Sequence, residues 1–120
     1  MFIKMLINKK DIIRINQEIG ESGSFSNENS LDFALSIIKQ KKSWLYEVSY
    51  LIRSILVDHV FSDGNKRTAL AIVMFYLEER NLQYDKEKLM RLVWIISKKN
   101  VKDINKIMRA IKDVIFSPEG

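Results

Sequence analysis

Ten consecutive residues, His59-Val60-Phe61-Ser62-Asp63-Gly64-Asn65-Lys66-Arg67-Thr68, hold the chain's single histidine, one of its four glycines and a Lys-Arg pair. Apolar spacing on either side predicts that this segment joins the end of an amphipathic helix to the start of a buried one. The first turn of a helix leaves four backbone N–H groups unpaired and carries about half a positive charge. Gly64, just before that turn, lets the backbone approach a ligand closely, and Asn65, Lys66 and Arg67 add side-chain donors. Together they have the features of a phosphate cradle. Arg67 can bind phosphate oxygens bidentately. Asp63 is a hard oxygen ligand suited to Mg²⁺ carried by a nucleoside polyphosphate. His59 is the one side chain with an ordinary pKa near neutrality, so it can take a proton from a hydroxyl nucleophile. Phe61 is expected to anchor the loop in the core. The segment is not a Walker A loop, because its only Gly-x-Lys is followed by arginine.

Each residue alone has a structural reading: His59 as a helix C-terminal cap, Asp63-Gly64 as a turn, Asn65 as an N-cap. Lys66 and Arg67 resist such a reading, since cations in a first turn oppose the helix dipole. Base, metal ligand and phosphate nest together point to group transfer from a nucleotide to a hydroxyl.

The elements that must position this segment are helical almost throughout. Lys10 to Ile19 places Ile12, Ile13, Ile15 and Ile19 toward one side, with Gly20 as a stop. Gly20 to Ser30 is the only turn-rich stretch and is expected to be an ordered surface loop or short hairpin. Ser30 or Asn29 can cap a helix from Leu31 to about Lys42, with Lys39, Lys41 and Lys42 near its C-terminal end. Ser43 can cap the next helix, in which Trp44, Leu45, Val48, Leu51, Ile52, Ile55 and Leu56 form an apolar stripe running toward His59. After Val60 to Gly64, a helix from Asn65 to about Arg80 is apolar almost all round, which suits the centre of a bundle. Asn81 stops it, Asp85 caps a helix to about Lys98, and Asp103 caps a last one. The expected fold is all-α: a compact bundle of about six helices in a single domain over residues 1–120, with a central buried helix around 65–80.

Composition excludes other classes. The chain has 120 residues, 47% hydrophobic and 29% charged, so it can bury one core without a covalent staple. With no cysteine, thiolate metal sites, disulfide scaffolds and cysteine nucleophiles are excluded; the same fact fits a cytoplasmic protein. One proline and four glycines are too few for the turns of an all-β fold. The longest apolar run, Ala69 to Leu77, is far short of the ~20 residues of a membrane span, and Met1 to Ile7 has no pattern of a targeting segment. The net charge of +5 is spread along the chain, without basic residues interleaved with aromatics, so nucleic acid is not an expected partner.

The pattern His59-x-Phe61-x-Asp63-Gly64-Asn65-Lys66-Arg67 resembles the signature of the Fic/Doc (Fido) family, His-x-Phe-x-[Asp/Glu]-[Gly/Ala]-Asn-[Gly/Lys]-Arg, at every fixed position. The resemblance extends over roughly residues 8–115. It implies a small helical fold, ATP as substrate and Mg²⁺ as cofactor. It also implies His59 as the general base on a target hydroxyl, Asp63 as the Mg²⁺ ligand, and Gly64, Asn65, Lys66 and Arg67 as the holders of the nucleotide phosphates. A flap upstream of the signature aligns the target in that family, and Gly20 to Asn29 has the composition for it. The AMP-transferring members usually carry glycine where this chain has Lys66, often arginine where it has Leu70, and often proline where it has Val60. Lysine at that first position resembles the Doc (death-on-curing) toxin branch, in which the γ-phosphoryl group is delivered to a Ser or Thr hydroxyl of a host protein and an antitoxin restrains the enzyme. The implied activity is a protein kinase, with AMP transfer as the alternative and a non-catalytic helical interaction module as the second. The string Ser24-Phe25-Ser26-Asn27-Glu28-Asn29 also fits the family's inhibitory glutamate motif, although that motif belongs on a helix and this stretch reads as the flap.

Overall fold

A computed structural model of the protein describes residues 7–40 and 42–116. Residues 1–6, where no targeting pattern was read, and Lys41 lie outside the described residues. Among the described residues six helices follow in order: α1 (Lys9–Glu18), α2 (Glu28–Ile38), α3 (Trp44–Val57), α4 (Asn65–Glu79), α5 (Lys86–Lys99) and α6 (Ile104–Val114). No strand is present among the described residues, only the isolated antiparallel bridges Phe25 to Phe61 and Tyr84 to Ile115. The protein is an all-α bundle.

Local sequence sets most of the helix starts. Asn8 and Asp11 form a reciprocal capping box on α1, at 2.9 Å in both directions. Ser43, Asp85 and Asp103 accept backbone N–H groups at the starts of α3, α5 and α6. The second helix differs from expectation. It starts three residues earlier than Leu31, capped by Asn27 rather than Asn29 or Ser30. The reason is tertiary: the Val60 carbonyl accepts from the N–H groups of both Ser26 (2.7 Å) and Asn27 (3.0 Å), which pins the chain at that point. The Ser30 hydroxyl is engaged elsewhere, with Asp58 at 2.5 Å and Ser54 at 2.9 Å. This helix also ends at Ile38, so Lys39 is its C-cap and Lys42 lies beyond it.

The two helices that flank the candidate site form the middle of the bundle. The α3 helix packs on α2, α4, α5 and α6, and α4 packs on α1, α3 and α5. Val48, Leu51, Ile52, Ile55 and Leu56 of α3 meet Ala69, Ile72, Val73, Tyr76 and Leu77 of α4 in one continuous apolar cluster. Burial of such aliphatic side chains contributes about 1.5–3 kcal/mol each, so the segment between these helices is held at both ends by the buried core. No described helix is long and apolar enough to cross a membrane.

Candidate functional site

The connection between α3 and α4 turns on two residues with positive φ. Asp58 closes α3, and His59 follows in the left-handed region at φ 53°. Asn81 and Asn100 occupy the same region just past α4 and α5, where asparagine is well tolerated. Histidine is a less favourable choice at such a position, and its side chain is exposed. The chain then plunges inward. Val60 and Phe61 are buried, and the Phe61 ring stacks on Phe25 with centroids 5.4 Å apart. Ser62 N–H donates to the Ser24 carbonyl at 3.0 Å, so the 21–27 loop runs alongside the connection in a short antiparallel contact.

Asn65 locks this loop from the other side. Its Oδ1 accepts from the Phe61 N–H at 3.0 Å and its Nδ2 donates to the Phe61 carbonyl at 2.9 Å. Its side chain thus shapes the loop.

The start of α4 is the exception among the helices. Gly64 is its N-cap at φ 76°, no side chain caps it, and no acidic residue lies in its first turn. A side chain at position 64 is disfavoured by that φ, and a Cβ there would lie 2.5 Å from Glu21 Cγ and 3.2 Å from Ile19 Cδ1, so both side chains would have to shift. Arg67 extends from this first turn. Its Nη1 donates to the Ile19 carbonyl at 2.9 Å, and its Nη2 forms a close ion pair with the Glu21 carboxylate. Glu21 therefore lies against the Gly64 backbone and pairs with Arg67. Lys66 is exposed with no ion pair among the described residues.

Asp63 is exposed beside the turn. No group of three or more metal-ligating side chains occurs among the described residues. A lone carboxylate fits Mg²⁺, which commonly takes one or two protein carboxylates and draws its other ligands from phosphate and water. It does not fit a metal held by protein alone.

Asn16, on α1, was not singled out by the sequence reading. It is buried, its Nδ2 donates to the Asp63 carbonyl and to Thr68 Oγ1, each at 3.0 Å, and its Oδ1 accepts from Gly23 N–H at 2.9 Å. One amide thus ties the flanking loop, the connection and α4 together. The available signal was an asparagine on the inward side of an isoleucine-rich helix, four residues after Ile12. Glu28, the glutamate of the inhibitory-motif string, lies on a helix and not in the expected flap loop, one step removed from this arrangement through Lys9, whose ammonium lies 5.5 Å from the centre of the Phe25 ring. It opens α2 and pairs with Lys9, while Glu21 is the carboxylate that meets the signature arginine.

No family model matches the chain, and no curated protein matches it.

Proposed function

We propose that the chain is a Doc-like toxin that transfers the γ-phosphoryl group of ATP to a Ser or Thr hydroxyl of a host protein in the cytoplasm, under restraint by an antitoxin protein. The observation that carries this reading is the start of α4. Among the described residues it is the one helix N-terminus without a side-chain cap, it coincides with Gly64-Asn65-Lys66-Arg67 of the signature, and its arginine already holds an internal carboxylate. An anion-binding geometry there is what the resemblance calls for.

In this reading the α4 backbone N–H groups, Lys66 and Arg67 hold the phosphates, and Asp63 holds Mg²⁺. The metal, when bound, offsets the charge on the phosphate oxygens. His59 accepts the proton of the target hydroxyl as its oxygen forms a bond to the γ-phosphorus. The bond from that phosphorus to the bridging oxygen breaks, and ADP leaves. Such a reaction is catalysed mainly by positioning and charge stabilisation, which the rigid connection between α3 and α4 can supply. Lys66 selects the γ-phosphate, because a side chain in place of glycine narrows the nest and adds a charge.

The test is incubation of the purified protein with cell lysate and ATP labelled at either the α or the γ position. Label from γ-ATP alone, with a target mass gain of one phosphate, is expected. Label from α-ATP with a gain of one AMP would replace the kinase by AMP transfer, and no label from either would leave a non-catalytic helical module. The Lys66→Gly variant is expected to weaken γ-transfer.

Glu21 adds a second expectation. A phosphate must displace it from Arg67, so Glu21→Ala should tighten ATP binding. Exposed ion pairs contribute up to about 1 kcal/mol, which sets the gain at about two- to fivefold by calorimetry. Weaker binding in that variant would mean that Glu21 orients Arg67 for the nucleotide instead of competing with it.

A further inference from the structure

The α5 helix is amphipathic with its polar side out, but that outer side is not wholly polar. Leu89, Val93 and Ile96 face α3, α4 and α6. On the opposite side Met90 and Trp94 are each 50% exposed and Ile95 is 40% exposed. With Arg91 they line a shallow depression of about 420 Å³. Large apolar side chains left together in the open are a recurrent mark of interaction surfaces, and tryptophan and arginine are both among the residues enriched at binding hot spots.

The rim is cationic. Lys86, Arg91, Lys98 and Lys99 are exposed on α5, against the single acidic residue Glu87 on that helix. None of the four is engaged in an ion pair among the described residues. Lys98 lies over the Trp94 ring at 4.4 Å from its centroid. Lys98 and Lys99 can be accounted for by the helix C-terminus, where positive charge is favoured. Lys86 in the first turn and Arg91 in the middle have no such reason to be there.

We propose that this face docks an acidic amphipathic helix of a partner protein, with apolar residues seated over Met90, Trp94 and Ile95 and carboxylates meeting Arg91, Lys98 and their neighbours. Met90, Trp94 and Ile95 stand at i, i+4 and i+5 on α5, so they form a short exposed patch with Arg91 among them. A second copy of the chain is disfavoured, because it would set the same four cations against each other. A flat anionic lipid surface would not use the depression. The inference stands apart from the nucleotide site and does not depend on it.

The experiment selects a displayed library of random peptides of about 16 residues, long enough for a marginal helix, on the full chain. Selection is run in parallel on Trp94→Asp, an exposed position whose substitution leaves the core untouched, with folding checked by circular dichroism. Enriched peptides should be net acidic with helical apolar spacing, and absent from the Trp94→Asp selection. A synthetic peptide from that set should shift the fluorescence of Trp94 to the blue in a Trp44→Phe background. Its calorimetric Kd on the unaltered chain gives the same readout if that background does not fold. Arg91→Glu with Lys98→Glu should weaken binding by about tenfold or more, as reversal of interface charges does. Lack of enrichment, neutral or basic winners, or equal enrichment on Trp94→Asp would overturn the proposal. An equal blue shift with phosphatidylserine vesicles alone would replace the peptide by a membrane. Self-association in sedimentation that Met90→Asp abolishes would replace it by a second copy.

Discussion

His59→Ala is expected to lower transfer to protein hydroxyls by about 10²–10⁴-fold, the usual range for removal of a general base, with the helical signal unchanged. The proposed reaction has one proton to move from the target hydroxyl, and the chain has one histidine, exposed at the junction of α3 and the buried connection. The backbone there offers a control that separates chemistry from structure. At φ 53° a non-glycine residue in the left-handed region costs about 1 kcal/mol or more, and alanine keeps that cost whereas glycine removes it. His59→Gly should therefore be as inactive as His59→Ala yet unfold at higher denaturant than the unaltered chain. The two readouts are initial rate with γ-labelled ATP and the midpoint of urea unfolding. Substantial transfer by either folded variant would remove His59 from the mechanism. A Gly variant less stable than the unaltered protein would mean that the imidazole itself supports the turn.

The parts of this arrangement that depend on near neighbours in sequence were legible. Ser43, Asp85 and Asp103 each precede a run with helical apolar spacing and cap the helices expected of them. The stretch from His59 to Arg67 stood out because cations in a first turn, after a glycine, contradict what a merely structural helix start prefers. What was not legible depends on residues distant in sequence. Asn27, Asn29 and Ser30 are all acceptable caps, and the choice among them is made by the Val60 carbonyl, more than thirty positions away. Asn16 reads as a break in an apolar stripe until Gly23, Asp63 and Thr68 are seen converging on its amide. The two glutamates show the same divide. The string around Glu28 matched a local pattern, but Glu28 pairs with Lys9, and the carboxylate that meets Arg67 is Glu21, which sits in no pattern at all. Linear spacing reveals which residues could act together only where the chain itself brings them together.

Phe61→Ala carries the largest expected loss of stability, about 3–5 kcal/mol. The ring is 1% exposed and sits in the continuous core between α3 and α4. It also stacks on Phe25 at an interplanar angle of 16°, so its removal unseats the 21–27 loop along with the connection. An aromatic pair of this kind adds about 0.5–1.5 kcal/mol beyond area burial. Against a total stability of about 5–15 kcal/mol for a typical domain, the alanine variant should be marginally folded. Its activity alone would then say nothing about the ring's role. Phe61→Leu supplies that information. It keeps most of the apolar volume and leaves the backbone groups held by Asn65 in place, so it should cost far less stability than alanine. If Phe61 acts only as an anchor, the leucine variant should bind ATP normally and retain most transfer, and its residual defect should scale with the stability lost. Urea denaturation and calorimetric ATP binding on the same two variants decide the matter. A loss below about 1 kcal/mol for Phe61→Ala would show that the connection is held by the Asn65 and Val60 hydrogen bonds without the ring. A folded leucine variant that no longer binds ATP would show instead that the stacked pair of Phe25 and Phe61 sets the position of the α4 N-terminus itself.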